Sequence, residues 1–287
     1  IEYLLNQLSF EGGGILALDL CAAPGGKSII LSDFLEERGY LIANEVDQKR
    51  NAVLTENLLK WGSAHHAITR LSASKLGEFE SVFDLVLIDA PCSGEGMFRK
   101  DAFALEQWNL DLVAQCTNTQ SQILNDIDSA IRPGGYVVYS TCTMNIQENE
   151  RQVKHMLELG YELVAIDMPE FAHYLIPAFY ENEKLGWYLL PGISSGEGLF
   201  VSVLQKKSDA SFSPSGGGFE LLEFESQMEI PEGIFNYHWT KKEVQYGTMD
   251  CFGLLNRLPE QMAFKSVGLP AFEMKGDRQI PKHGLAM

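Results

Sequence analysis

The chain of 287 residues is 45% hydrophobic and 21% charged, the composition of a folded protein rather than a disordered one. No apolar run reaches the roughly 20 residues of a membrane span, and no basic-then-apolar leader opens the sequence, so membrane and secretory readings lack support. A net charge of −17 weighs against a nucleic-acid partner, because phosphate contacts supply most of that affinity. From Lys241 onward, however, seven Lys/Arg face five acids and the stretch is +2.

Strand-length apolar runs alternate with helical patterns over the first two-thirds. A strand pattern begins almost at Ile1, as in a trimmed piece that lacks an N-terminal part. Residues 15–20 (ILALDL) read as a buried parallel strand, and residues 27–38 have helical spacing with Ile30, Phe34 and Leu35 on one face. Residues 41–46 predict a second strand, Asp47 caps a helix to about Trp61, and residues 67–71 predict a weak third strand. Residues 83–90 (FDLVLIDA) are the best strand. Residues 110–131 predict a long helix stopped by Arg132-Pro133-Gly134-Gly135, before a strand over 136–142. A helix over 147–159 and strands over 162–166 and 199–204 follow. This alternation predicts an α/β fold with a parallel sheet, whose ligands sit at the carboxyl ends of the strands. Residues 208–218 are a glycine- and serine-rich linker by composition, and residues 219–287 read as part of a small β-rich domain.

The first strand ends at Asp19-Leu20, and Cys21-Ala22-Ala23-Pro24-Gly25-Gly26-Lys27-Ser28 then opens a helix. Paired glycines at a helix N-terminus let a ligand approach the backbone closely. Two chemistries compete. A phosphate loop reads G-x-x-x-x-G-K-[ST], which this stretch matches except that Cys21 stands at the first glycine, so a P-loop NTPase is one reading. A nucleoside cofactor is the other: Glu45 ends the second strand, where an acid takes ribose hydroxyls, and Asp19 suits a cationic sulfonium better than a triphosphate.

Five cysteines (Cys21, Cys92, Cys116, Cys142, Cys251) are odd in number and form no C-x-x-C pair, as in a cytoplasmic protein with free thiols and no metal site. Cys92 follows the fourth strand in Asp89-Ala90-Pro91-Cys92-Ser93-Gly94, and Cys142 ends the fifth in Ser140-Thr141-Cys142-Thr143. In a parallel sheet both thiols would face the cofactor's crevice. Cys116 and Cys251 have no motif around them and read as structural.

DLCAAPGGKS, NEVDQKR, DAPCSGEGMFRKD and STCTMNIQENE, in that order, resemble the motif series of the Sun-related RNA cytosine-C5 methyltransferases over roughly residues 17–206. GLPAFEMKGDRQIPKHGLAM at the end resembles the start of the PUA-like RNA-binding tail of the bacterial ribosomal-RNA branch. The resemblance implies a Rossmann-like, seven-stranded S-adenosylmethionine-dependent methyltransferase fold of strand order 3-2-1-4-5-7-6 over residues 1–207, a linker over 208–218 and a partial PUA-like domain over 219–287. It implies Cys142 as a nucleophile that adds to cytosine carbon-6, Cys92 as the thiol that assists product release, Asp89 orienting cofactor or base, and Lys27 supporting that polar cluster. Cys21, Ala22, Ala23, Pro24, Gly25, Gly26 and Lys27 would line the methionine side of the cofactor. Spacing alone leaves the choice of nucleophile open, since DNA cytosine methyltransferases use a Pro-Cys thiol.

The expected reaction is methylation of cytosine carbon-5 in RNA, most simply 16S ribosomal RNA, by a cytoplasmic monomer. A P-loop NTPase, a catalytically silent RNA-binding scaffold and a transfer-RNA enzyme are the competing readings. Arg99 and Lys100 would either meet the RNA backbone or solvate a helix start. Glu148 and Glu150 match the family's ENE element and are explained by a helix dipole. His65-His66 would sit at a surface or turn, and Trp187 and Tyr188 would pack in the core or stack on bases. The sequence departs from the family after the third strand, where Thr69-Arg70-Leu71-Ser72-Ala73-Ser74 offers no acid for the adenine, and at Pro191-Gly192, where relatives carry Pro-His.

Overall fold

Hydrophobic strands buried on both faces need helices to cover them, and the chain meets this need in two compact units, residues 1–72 with 213–287 and residues 73–212. The computed structural model describes residues 2–10, 14–35, 38–194, 196–208, 234–238, 243–248, 257–258, 262–275 and 278–281.

In the first unit a helical turn, α1 (Glu2–Leu5), stands where the pattern predicts strand. Then come β1 (Ile15–Asp19), α2 (Gly26–Leu35), β2 (Gly39–Asn44), α3 (Gln48–Trp61) and β3 (His66–Thr69). β1 pairs with β2 and β2 with β3, both in parallel. Asp47 caps α3 as expected, accepting from the Lys49 and Arg50 amides at 2.9 and 2.8 Å. α2 buries Leu31, Phe34 and Leu35, whereas Ile30, expected on that face, is exposed.

The second unit runs α4 (Ala73–Gly77), β4 (Phe83–Asp89), a 3-10 turn (Glu95–Arg99), α5 (Ala102–Gln107), α6 (Leu110–Ile127), β5 (Ile131–Thr141), α7 (Glu150–Glu158), β6 (Tyr161–Leu163), β7 (Leu175–Tyr180), β8 (Glu183–Leu189) and β9 (Leu199–Lys206). β4 and β5 are parallel, and β9 lies antiparallel to β5. The far edge of β9 is shared: residues 199–201 pair with β8, and residues 204–206 with β6. The expected order is therefore present as 3-2-1 in the first unit and, with β9 as the seventh strand, as 4-5-7-6 in the second.

Two expectations are corrected here. Arg132-Pro133-Gly134-Gly135 does not end a helix, because α6 stops at Ile127 and the four residues lie inside β5. The pairing jumps from Phe83↔Ile131 to Leu85↔Tyr136, so they form a bulge, held by an Arg132–Asp84 ion pair at 2.6 Å. The β7–β8 hairpin was not foreseen. Pro177 within it is tolerated on an outer strand, and its turn is made by Glu181 and Asn182, both at positive φ.

Residues 213–287 contribute β10 (Ile234–His238), β11 (Glu243–Thr248), β12 (Phe264–Val267), β13 (Leu269–Lys275) and β14 (Arg278–Pro281). β10, β11, β13 and β14 form an antiparallel sheet in that order, while β12 pairs antiparallel with β3. That pairing explains why His66 is not at the surface. β12 covers the outer edge of β3, the Gly268 amide donates to the His66 carbonyl at 2.7 Å, and His66 is fully buried.

Burial pushes the His66 imidazole down from 6.5 to about 4. Between those values the unfolded chain holds the extra proton, so stability present above pH 6.5 is lost as pH falls toward 4, by about 3 kcal/mol from this group. Urea midpoints at pH 7.5 and 4.5 should therefore differ more in the wild type than in His66→Leu. Equal acid losses in the two proteins would assign the effect to other groups.

Candidate active site

The carboxyl ends of β1 and β2 are built by buried side chains that stand in for missing strand partners. Asn44 donates to the carbonyls of Leu20 and Leu71, both at 3.0 Å, and accepts from the Thr69 hydroxyl and the Leu71 amide, both at 2.8 Å. Asn51, reaching in from α3, donates to the carbonyls of Glu45 and Thr69. The loop over residues 21–27 lies on this frame, its Ala22 amide donating to the Asn44 carbonyl.

Within the loop Gly25 is at φ +115°, a conformation that favours glycine, and a Cβ there would touch Leu54 at 3.4 Å, whereas a Cβ on Gly26 would meet nothing. The two glycines thus differ: Gly25 seats α2 against α3, and Gly26 leaves open space at the N-terminus of α2. Ala22 and Ala23 are buried, Pro24 is exposed, and Cys21 and Lys27 are half-buried. Asp19 is fully buried and accepts from the Ser28 hydroxyl at 2.6 Å. Glu45 is 2% exposed; it accepts from the Asp47 amide and pairs with Arg50 at 3.2 Å. Arg50 also donates to the Ala23 carbonyl at 3.0 Å, tying the glycine loop to the acid that ends β2. Small residues, an open helix N-terminus and two buried acids fit a nucleoside with a cationic centre better than a triphosphate. The stretch from Thr69 to Ser74 carries no acid, and the Leu71 backbone is taken up by Asn44.

In the second unit the two thiols meet. Cys92 Sγ and Cys142 Sγ are 3.2 Å apart, both half-buried. The hydrogen bond to Cys142, and then burial, push the Cys92 thiol far up. A pair this close titrates as a unit, so the first proton lost leaves a thiolate hydrogen-bonded to the remaining thiol. Asp89, at the end of β4, accepts from the Ser140 hydroxyl at 2.8 Å.

The residues that shape these two turns were largely missed from sequence. The Gly96 amide donates to the Cys142 carbonyl at 2.7 Å. Glu95 accepts from the Met144 amide, the Asn145 side chain and the Trp108 ring nitrogen. Asn149 accepts from the Thr141 hydroxyl at 2.5 Å and donates to the Thr143 carbonyl at 2.9 Å, holding the Cys142 turn from behind. Glu148 precedes α7, is fully buried, and accepts from Ser93, Gln120 and Asn145, which a helix dipole does not explain. Glu150 accepts from the Tyr188 hydroxyl, and Tyr188 packs on Phe200 at 5.2 Å. The one signal for these residues was their place inside the quoted motifs.

Other expectations resolve simply. Arg99 donates to the Gly196 carbonyl and Lys100 pairs with Glu197, so both hold the loop before β9. Trp187 is buried on β8, with Lys184 over its ring. Cys116 sits on α6, its thiol pushed up to about 11 by burial and the nearby Glu148. Cys251 lies outside the described residues. No group of metal-ligating side chains is present among the described residues.

A family model for the 16S rRNA methyltransferases RsmB/F matches residues 8–205. The chain belongs to the RsmB/F family. It is 39% identical over 196 residues to ribosomal RNA small subunit methyltransferase F of Shewanella sp. strain MR-4, covering 66% of this chain and 39% of that protein. The protein of the same name from Erwinia tasmaniensis is 35% identical over 212 residues, covering 72% and 44%. The chain thus spans about two-fifths of the length of the curated RsmB/F relatives it matches. Among solved structures, NSun6 from Pyrococcus horikoshii with SFG, an S-adenosylmethionine analogue, is similar at 28% identity and TM-score 0.59, covering 68% of this chain and 48% of that one. A methyltransferase homolog from the same organism gives 28% and 0.57, covering 67% and 62%. The fold is the Rossmann-like one of S-adenosylmethionine-dependent methyltransferases, and membership of the RsmB/F family sets the P-loop reading aside.

Gly96 gives a sharp test of the thiol turn. A Cβ there would lie 2.6 Å from the Cys142 carbonyl oxygen and 2.8 Å from that of Glu197, both backbone atoms. If Cys142 is the reacting group proposed below, Gly96→Ala should lower methyl transfer about a hundredfold, because misplacing a reacting group by about 1 Å is that costly, with the circular dichroism spectrum unchanged. Activity within a few-fold of wild type would show that the Cys142 turn tolerates the shift.

Proposed function

We propose that the chain methylates carbon-5 of cytosine in RNA, with 16S ribosomal RNA as the substrate, through a covalent Cys142–cytosine adduct. The observation that carries this reading is the approach of two thiols to 3.2 Å on the turns that follow β4 and β5. A silent scaffold has no use for such a pair. Membership of the RsmB/F family and relatives named as ribosomal RNA small subunit methyltransferases support the substrate class.

The cofactor S-adenosylmethionine supplies an electrophilic methyl group on a sulfonium. The loop over residues 21–27 would hold its methionine side and Glu45 its ribose, with Arg50 fixing the position of Glu45. Cytosine carbon-5 is too weak a nucleophile unaided. Cys142, as the thiolate of the pair, adds to carbon-6 and pushes electron density onto carbon-5, which then takes the methyl. The carbon-5 proton leaves to a base, the carbon-6–sulfur bond breaks, and its electrons return to Cys142 as the ring double bond re-forms. Cys92 promotes this release, and Asp89, held by Ser140, orients the base. The base must leave its stack to reach the thiols. Residues 1–207 would carry the reaction and residues 219–287 a PUA-like RNA-binding module, a reading supported by the antiparallel sheet of β10, β11, β13 and β14. The setting would be a cytoplasmic monomer; no helix among the described residues is long and apolar enough to cross a membrane.

Denaturing-gel capture of an RNA–protein adduct tests the assignment, using S-adenosylmethionine and unmodified 16S transcript. Cys92→Ala should accumulate a shifted band and Cys142→Ala should give none. A band that persists in Cys142→Ala and vanishes in Cys92→Ala would exchange the two roles. No adduct in any lane, with the cofactor still bound, would overturn the proposed reaction on this RNA.

A further inference from the structure

We propose that Glu148 is a positioning residue that holds Cys92 at its working distance from Cys142, and so controls release of the methylated product rather than attack on the base. The inference rests on the thiol roles just proposed.

The geometry is asymmetric. One oxygen of the fully buried Glu148 carboxylate accepts from the Ser93 amide and from Gln120, both at 2.9 Å; the other accepts from the Ser93 hydroxyl at 2.5 Å and Asn145 at 2.7 Å. Ser93 is the residue next to Cys92, and both its amide and its hydroxyl end on this one carboxylate. Gln120 also donates to the Pro91 carbonyl at 2.9 Å, so the residues on either side of Cys92 are fixed to one polar unit. Cys142 is anchored differently. Its neighbour Thr141 is paired with Phe200 in the sheet, Asn149 binds Thr141 and Thr143, and Gly96 binds its own carbonyl. Losing Glu148 therefore removes both ties of Ser93 beside Cys92, while the Cys142 turn keeps its pairing with Phe200 and its bonds to Asn149. The Gly96 bond and the 3.1 Å contact of the Ser93 and Thr143 hydroxyls join the two turns.

A carboxylate suits this place because every group it meets there can donate. A glutamine would set an NH2 group against the Ser93 amide and Gln120 on one side, or against Asn145 on the other, and a buried donor facing a donor is strongly disfavoured. Glu148→Gln keeps the volume and should shift Ser93, and Cys92 with it.

The experiment is adduct capture with the full chain, S-adenosylmethionine and unmodified 16S transcript, running wild type, Cys92→Ala, Glu148→Gln and Gln120→Met side by side. Glu148→Gln should behave like Cys92→Ala. Adduct accumulates, steady-state turnover falls about a hundredfold, and the first-turnover rate of adduct formation stays within about tenfold of wild type. General destabilisation would instead slow formation and release together, which separates a positioning role from a merely structural one. Gln120→Met removes one donor to Glu148 and the tie to Pro91, and should give a weaker accumulation; this variant decides the matter if Glu148→Gln does not fold. Should Cys92→Ala trap adduct while neither Glu148→Gln nor Gln120→Met does, the inference about Glu148 is wrong and the thiol roles stand. Should Cys92→Ala itself trap nothing, the thiol roles fail, and the inference fails with them.

Discussion

A parallel strand that ends in a loop leaves backbone amides and carbonyls with no strand to pair with, and a buried group left in that state costs free energy. The fold answers this constraint with fully or almost fully buried polar side chains, and the candidate site is the result. Asn44 and Asn51 take up the ends of β1, β2 and β3. Glu148, Asn149 and Gln120 do the same for the turns after β4 and β5. The same bonds that satisfy the backbone fix the positions of the glycine loop and of the two thiols, so stability and site geometry are not separable here.

The thiol pair shows what such a frame makes possible. At 3.2 Å the two sulfurs share a hydrogen bond, and the cost of ionising both rises steeply. A thiolate on either sulfur would accept a hydrogen bond from the other, which is the arrangement the proposed attack by Cys142 would use. The sequence offers no Lys, Arg or His beside either cysteine; the group that meets each sulfur is the other cysteine, contributed by a turn 50 residues away.

The parts of the fold set by local pattern were legible. Apolar runs ending in an acid marked β1 and β4, and the Asp47 cap marked α3, because burial on both faces and capping each leave a short-range signature. Where tertiary pairing overrides local preference, the pattern misled. Arg132 to Gly135 carry every sign of a stop, yet they are absorbed as a bulge by Asp84. His66 looked like a turn residue because nothing nearby in sequence announces that β12, two hundred residues on, covers β3. In the site, Cys92, Cys142, Asp89 and Glu45 could be named from motif position, but Glu95, Gly96 and Asn149 could not be given roles, since each acts only through a partner distant in the chain. Glu148 was named and misassigned: a charge near a helix start has a sufficient local explanation until its burial is known.

The acidity of the chain looks different beside this architecture. Several carboxylates counted in the −17 are committed internally: Asp84 is neutralised by Arg132, Glu45 is paired with Arg50, and Asp19 and Glu148 are fully buried under hydrogen bonds. Of these, Asp84 and Glu148 serve internal structure, while Asp19 and Glu45 stand where the cofactor site is proposed. A phosphate backbone at the surface responds to the charges within about 10 Å of it, beyond which salt screens the rest. For the RNA proposed as substrate, the charge around the thiol turns, where Arg99 and Lys100 stand exposed, would therefore count for more than the total does. Lys100 is itself paired with Glu197, so in the proposed reaction shape and contacts to an out-flipped base would supply part of what a basic patch would otherwise give.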